Sequence, residues 1–284
     1  TSNYLMKISI IVPIFNGIRY LPSFLDSLEA AAPEGSRVYL VDDASTEPVD
    51  TAVPSTALFM NAVRLRNDVN LGYSGSVNRA FSICDGDYIF QLNTDLILDP
   101  NCLTAMIEFL STNKKAGIVG SKLVYPTNGR VQHVGMTFGQ LSKRHVFEGM
   151  AASHPLCCRD RDCQIVTGAT AGMTRQAFNA LGPLDEAYFN SNLDLDHCLR
   201  SIKLGFRNSV VAASMAYHWV SQSGPARFAG FNEAQALLWR QWGAMIKTDL
   251  PRFLDEAIEF LLGTRPELAG VEFQFERVPL AYSL

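Results

Sequence analysis

Apolar positions in the first hundred residues alternate between short runs and helical stripes. Ile8 to Val12 is a largely apolar, β-branched run closed by Pro13, the pattern of a buried strand. Val38 to Val41, Val63 to Leu65 and Tyr88 to Leu92 repeat it. Between them Leu21, Phe24, Leu25 and Leu28 recur at helical spacing until Pro33-Glu34-Gly35, and Ser74 to Cys84 reads as a second helix. Asp99-Pro100 predicts an N-cap followed by a first-turn proline, opening a helix to about Asn113.

This alternation predicts an α/β fold with an open, mostly parallel, Rossmann-like sheet flanked by helices. In such sheets ligands bind beyond the carboxyl ends of the strands. The polar residues that follow each strand, Asn16, Asp42, Asp43, Asn70, Asn93 and Asp95, are therefore expected to converge on one crevice. From Gly120 to Ser153 the pattern is less regular, with Gly and basic residues among short strand-like pieces. A further helix is expected from Asp194 to Leu204, ended by Gly205. Beyond Gly224 the stripe Phe231, Ala234, Leu238, Trp242, Met245 and a second amphipathic stretch opened by Pro251 predict a C-terminal helical extension.

The 284 residues are 48% hydrophobic and 18% charged, a globular composition. A formal net charge of -4 argues against a nucleic-acid partner, but not against a phosphate ligand whose charge a bound cation screens. Six cysteines show no doubled CxxC spacing. Cys157, Cys158 and Cys163 read as incidental thiols of a loop, and Cys84, Cys102 and Cys198 as small buried hydrophobes of a reducing compartment. No apolar run approaches the roughly 20 residues of a membrane span, and no leader pattern opens the chain, so a cytoplasmic location is expected.

Four places can carry chemistry. Asp42-Asp43 can accept hydrogen bonds from a nucleobase and ribose, or cap the turn before Ser45-Thr46. Asn93-Thr94-Asp95 can place a carboxylate on Mg²⁺ or Mn²⁺ bridging diphosphate oxygens, or form a plain turn. Asp194 and Asp196 suit a first helical turn, and one of them can also serve as a general base. His218, before Trp219, is either a satisfied core histidine or a metal ligand. Pro13-Ile14-Phe15-Asn16-Gly17 is neither a Gly-rich basic phosphate loop nor GxGxxG, which disfavours nucleotidyltransferases and dinucleotide-binding dehydrogenases.

In order and spacing these elements resemble the family 2 glycosyltransferases of the GT-A fold, and within them the bacterial rhamnosyltransferase-like branch. The resemblance covers roughly residues 7 to 220. It rests on Ile8 to Asn16, Val41 to Thr46, Asn70 to Asn78, Gly86 to Asp95, Thr167 to Phe189, Asp194 to Arg207 and His218.

The resemblance implies an inverting enzyme that moves a sugar from a nucleotide diphosphate donor to an acceptor hydroxyl. Bacterial surface polysaccharide or glycoconjugate synthesis is its implied setting. By position, Pro13, Phe15, Asn16 and Asp42 would surround the nucleobase, while Asn70, Gly72 and Asn78 would shape the loop under the donor. Asn93 and Asp95 fall on the DxD motif, with Asp95 and His218 as ligands of Mn²⁺ or Mg²⁺. Asp194 falls on the expected base. The implied domains are a catalytic unit, 1–224, and the extension, 225–284. The acceptor would be a saccharide, free, lipid-linked or protein-linked. The extension, with Trp239 and Trp242, would pack on the catalytic unit, form a homodimer or touch the inner membrane face.

Two departures stand out. Asn93 replaces the first aspartate of DxD, and Leu193 replaces the glutamate that usually precedes the base. They sustain an alternative reading: a catalytically degenerate module that binds a carbohydrate or a protein.

Overall fold

The computed structural model describes residues 6–139, 143–219 and 230–268. The boundary expected at 224/225 lies outside the described residues. The first half runs β1 (Ile8–Ile14), α1 (Leu21–Ala31), β2 (Ser36–Asp42), α2 (Ala57–Met60), β3 (Val63–Arg66), α3 (Gly72–Phe81) and β4 (Tyr88–Leu92). Then come β5 (Leu96–Leu98), α4 (Cys102–Thr112), β6 (Ala116–Val124), β7 (Val131–His133), β8 (Met136–Phe138) and β9 (Lys143–His145). The rest is β10 (Arg161–Cys163), β11 (Thr170–Thr174), α5 (Arg175–Leu181), α6 (Leu193–Lys203), β12 (Arg207–His218), α7 (Phe231–Trp242) and α8 (Leu250–Thr264).

One mixed sheet holds the molecule together, in the order β10-β12-β6-β11-β4-β1-β2-β3. β3, β2, β1 and β4 are mutually parallel. β11 lies antiparallel between β4 and β6, and β12 is parallel to β6. Along β1 the side chains alternate between two cores: Ile8, Ile10, Val12 and Ile14 enter one, and Ile11 enters the other. Helices cover both faces, α1 and α4 on the first and α3, α5 and α6 on the second. Double burial explains why the strands read as unbroken apolar runs.

The sequence order reverses between β1 and β4, which leaves a crevice at their carboxyl ends. α4 opens later than expected: Asn101, not Asp99, flanks its first turn, so Pro100 lies outside the helix. Asp99 still shapes the entry, accepting from the Asn101 and Cys102 N–H groups at 3.0 and 2.8 Å. β11 was not foreseen. Its Thr-Ala-Gly-Met-Thr has no apolar run, and Gly172 leaves room for the Phe90 ring on the neighbouring strand.

α7 and α8 bury Ala234, Leu238, Trp242 and Phe253 in the second core. Trp242 Nε1 donates to the buried Asp196 at 2.8 Å, and Asp249 accepts from Thr137 Oγ1 and the Phe138 N–H at 2.6 and 2.8 Å. All six cysteines are free; five are buried and Cys158 is exposed.

Candidate active site

The loops after β1 and β2 hold each other. Asn16 is left-handed (φ 52°), and its side-chain oxygen accepts from Thr46 N–H and Oγ1 at 2.9 and 3.1 Å. Its own N–H donates to Ser45 Oγ at 2.9 Å. Asp42 accepts from the Ser45 N–H at 2.9 Å and pairs with Arg66. Pro13 lies within β1 opposite Val41, with Phe15 just beyond the strand. These four residues therefore meet at adjacent strand ends, but the polar groups of Asn16 and Asp42 already serve the loop.

Asp43 takes the structural one of its two readings. It is 3% exposed and accepts from Asn67 Nδ2 at 2.6 Å and the Leu71 N–H at 2.7 Å, tying the third loop to the second. Asn70 accepts from the Gly72 N–H at 2.9 Å and so turns the chain into α3. Gly72 sits at φ 74°, and a Cβ there would come within 2.6 Å of the Phe189 ring. Asn78 exchanges bonds with the Leu184 backbone, both at 2.9 Å, and fixes the segment leading to α6.

At the end of β4 the Asn93 N–H reaches Ala169 O at 2.9 Å, while its buried side-chain oxygen has no donor among the described residues. Two residues on, Asp95 Oδ1 lies 3.2 Å from His218 Nε2. His218 Nδ1 bonds Gln132 Oε1 at 2.8 Å. An amide oxygen only accepts, so the Nδ1 carries a proton and the ring turns its Nε2 toward the carboxylate. Tyr125 lies nearby and interacts with Gln132, and its hydroxyl donates to Glu148 at 2.5 Å. Burial and Glu148 push the Tyr125 phenol up to about 12.

A proton on Nε2 or a bound cation would each satisfy the approach of His218 to Asp95. A carboxylate oxygen and an imidazole nitrogen 3.2 Å apart are donors that Mg²⁺ or Mn²⁺ accepts, so Asp95 and His218 could hold such an ion. No group of three or more metal-binding side chains occurs among the described residues, which leaves the other positions to phosphate and water.

Asp194 is the second residue of α6, where the helix dipole favours negative charge. Its Oδ2 accepts from the Gly168 N–H and its Oδ1 from the Leu195 N–H, both at 3.0 Å. The Gly168 carbonyl accepts from Tyr73 Oη at 3.1 Å. Tyr73 lies within electrostatic reach of both Asp194 and Asp95, and burial, then those two carboxylates, raises its phenol pKa far above the ordinary range. Leu193 is buried in the second core, so the position of the missing glutamate faces inward.

Sequence reasoning missed Tyr73, Gln132, His133, Lys143, His145 and Gly168. Tyr73 and Gly168 lie inside recognised motifs. The other four belong to the irregular stretch, where the basic run Lys143-Arg144-His145 was the one available signal. A cleft of about 720 Å³ lined by Arg159, Arg161, Arg207, Arg252 and Glu256 lies elsewhere, at the opposite ends of β6 and β12.

Fold and site together define a GT-A glycosyltransferase architecture: a switch-point crevice, a carboxylate–histidine pair beside β4 and a carboxylate at the start of α6. Residues 9–182 match the description Glycosyl transferase family 2, and the chain belongs to that family. It is 30% identical over 226 residues to the O-antigen biosynthesis protein RfbC of Myxococcus xanthus, covering 76% of this chain and 18% of that one. It is 25% identical over 226 residues to the N-acetylglucosaminyl-diphospho-decaprenol L-rhamnosyltransferase of Mycobacterium tuberculosis H37Rv, covering 72% and 73%. The chain thus spans less than a third of the length of two relatives, RfbC at 18% and an uncharacterised Sinorhizobium fredii protein at 27%. Among solved structures, the Pyrobaculum calidifontis mannosyltransferase PcManGT in complex with GDP-Man and Mn²⁺ superposes with a TM-score of 0.58 at 15% identity, covering 92% of this chain and 81% of that one. Staphylococcus aureus TarS 1-349 with UDP gives 0.59 at 18% identity, covering 94% and 76%.

Proposed function

We propose that the protein is an inverting hexosyltransferase that moves a sugar from a nucleotide diphosphate donor to an acceptor hydroxyl in bacterial surface polysaccharide or glycoconjugate synthesis. The observation that carries this reading is that Asp194 and the Asp95–His218 pair share the neighbourhood of Tyr73, both carboxylates acting on its phenol. The relatives that act in O-antigen synthesis and on a diphospho-decaprenol acceptor support the setting and favour a lipid-linked acceptor.

Asp194 accepts the acceptor hydroxyl's proton as that oxygen bonds to the anomeric carbon. The bond from that carbon to the diphosphate oxygen breaks with its electrons leaving on the diphosphate. Both Asp194 oxygens keep a lone pair beyond the backbone bonds that orient them. Asp95 and His218 would hold Mn²⁺ or Mg²⁺, which when bound offsets the charge growing on the diphosphate. Pro13, Phe15, Asn16 and Asp42 line the nucleobase end, with Asn70, Gly72 and Asn78 fixing the loop below and Asn93 directing its amide at the donor.

A thermal-shift screen of nucleotide sugars with and without Mn²⁺, followed by donor hydrolysis and transfer assays, tests the proposal. A Mn²⁺-dependent rise in melting temperature with one donor, plus release of nucleoside diphosphate, is expected. Stabilisation without turnover would favour the degenerate binding module. No helix among the described residues is long and apolar enough to cross a membrane.

A further inference from the structure

β9 brings the basic run Lys143-Arg144-His145 to the base, in a chain whose formal net charge is -4. Strand alternation puts Lys143 and His145 on one face and Arg144 on the other. Lys143 Nζ donates to Asn192 Oδ1 at 2.9 Å, two residues from Asp194, and Asn192 Nδ2 donates in turn to Gln235 Oε1 at 3.2 Å. Lys143 is an exposed residue by its whole surface, yet its ammonium end is crowded by protein. That crowding lowers its pKa, and Asp194 opposes the shift. Among the described residues a neutral amide oxygen is its hydrogen-bond acceptor, and it has no salt bridge.

His145 is oriented by a relay. His133 Nε2 accepts from the Thr167 N–H at 3.4 Å, so the His133 proton sits on Nδ1. That Nδ1 meets His145 Nδ1 at 2.9 Å and donates to it, which leaves the His145 proton on Nε2. Burial keeps both rings neutral by lowering their pKa values, most strongly at His133. No described group accepts from His145 Nε2–H. An ammonium and an imidazole N–H, each with donor capacity left over, thus stand on one strand face beside the carboxylate that would take the acceptor's proton.

We infer that Lys143 and His145 form an anion subsite on the acceptor side, which binds a phosphate oxygen of the acceptor. This rests on the reading of Asp194 as the base, because that reading puts the acceptor against β9. The same oxygen could be carried by a lipid diphosphate or by a free sugar phosphate.

The test is calorimetric titration of the full chain, saturated with Mn²⁺ and the nucleoside diphosphate chosen by the donor screen. The titrants are decyl diphosphate, glucose 1-phosphate and the neutral octyl glucoside. Loss of a charged hydrogen bond corresponds to about tenfold or more in affinity, so Lys143→Met should weaken binding of the anionic probes by at least about that factor. Lys143→Arg should retain it, and octyl glucoside should be indifferent to either change. Decyl diphosphate alone binding identifies a lipid carrier; both anions binding identifies the phosphate itself. Failure of both anions to bind the wild type, or unchanged binding by Lys143→Met, overturns the subsite. The titration needs no turnover, so it stays separate from a failure of Asp194 as base, which shows as undiminished activity in Asp194→Asn.

Discussion

His218 presents Nε2 to Asp95 Oδ1 at 3.2 Å while Gln132 Oε1 holds the opposite ring nitrogen at 2.8 Å. Outer partners of this kind are typically worth about 10–100-fold in metal affinity. Gln132→Leu should therefore weaken Mn²⁺ binding by about that factor while leaving both ligands in place. Equal Mn²⁺ affinity in the variant, measured by calorimetry, would remove His218 from the metal site.

Asp194 accepts from the Gly168 and Leu195 backbone N–H groups, bonds that an amide oxygen can in part accept as well. Asp194→Asn should keep donor binding and lower kcat by about 10²–10⁴-fold, the usual worth of a general base. Steady-state kinetics with the donor and water as acceptor give the answer, and a kcat within a few-fold of wild type would end the assignment.

Trp242 joins the extension to α6 through Asp196, which is 3% exposed and also pairs with Arg200. Trp242→Phe keeps most of the ring volume but leaves a carboxylate oxygen short of a donor. The cost expected is about 1–3 kcal/mol, read from urea unfolding. No loss would mean that water replaces the indole N–H.

Burial and then Arg200 lower the pKa of His197 to about 3. Its contribution to stability is full above the unfolded-state value of about 6.5 and declines as pH falls toward about 3, because the unfolded chain takes up the proton first. Between pH 6 and 4 the unfolding free energy should drop by up to about 1.4 kcal/mol per unit from this residue. His197→Gln should flatten that slope; an unaltered slope would assign the acid sensitivity to other groups, His133 first among them.

Gly72 combines φ 74° with a site where a Cβ would lie 2.6 Å from the Phe189 ring. Gly72→Ala should cost at least about 1–3 kcal/mol from backbone strain alone, seen as a lower melting temperature. A neutral result would show that the backbone at residue 72 relaxes out of the left-handed region and that Phe189 moves aside.

The parallel half of the fold was legible because its strands are buried on both faces, so Ile8 to Val12 and Tyr88 to Leu92 announce themselves without any partner in view. β11 and β6 were harder. β11 is short and rich in small residues, and the glycines of β6 interrupt its apolar pattern although the whole strand is buried. Asp95, Asp194 and His218 were found by motif order. What the sequence could not reveal was how side chains are spent. Asn16, Asp42 and Asn78 look like ligand contacts in one dimension, yet their hydrogen bonds run largely within the protein. Conversely, His133, Lys143 and His145 carry no motif, because their meaning depends on β9 lying beside α6.

The pairing of β4 with β11 carries a mechanical consequence. Asn93 and Ala169 share a hydrogen bond across that pair, and the next peptide, Gly168, grips Asp194. The Asp95 loop and the start of α6 are thus tied together through neighbouring strands of the sheet and not through free loops. If Asp194 and Asp95 act as proposed, substitutions in the surrounding loops should change which substrates enter more readily than the spacing of the two carboxylates.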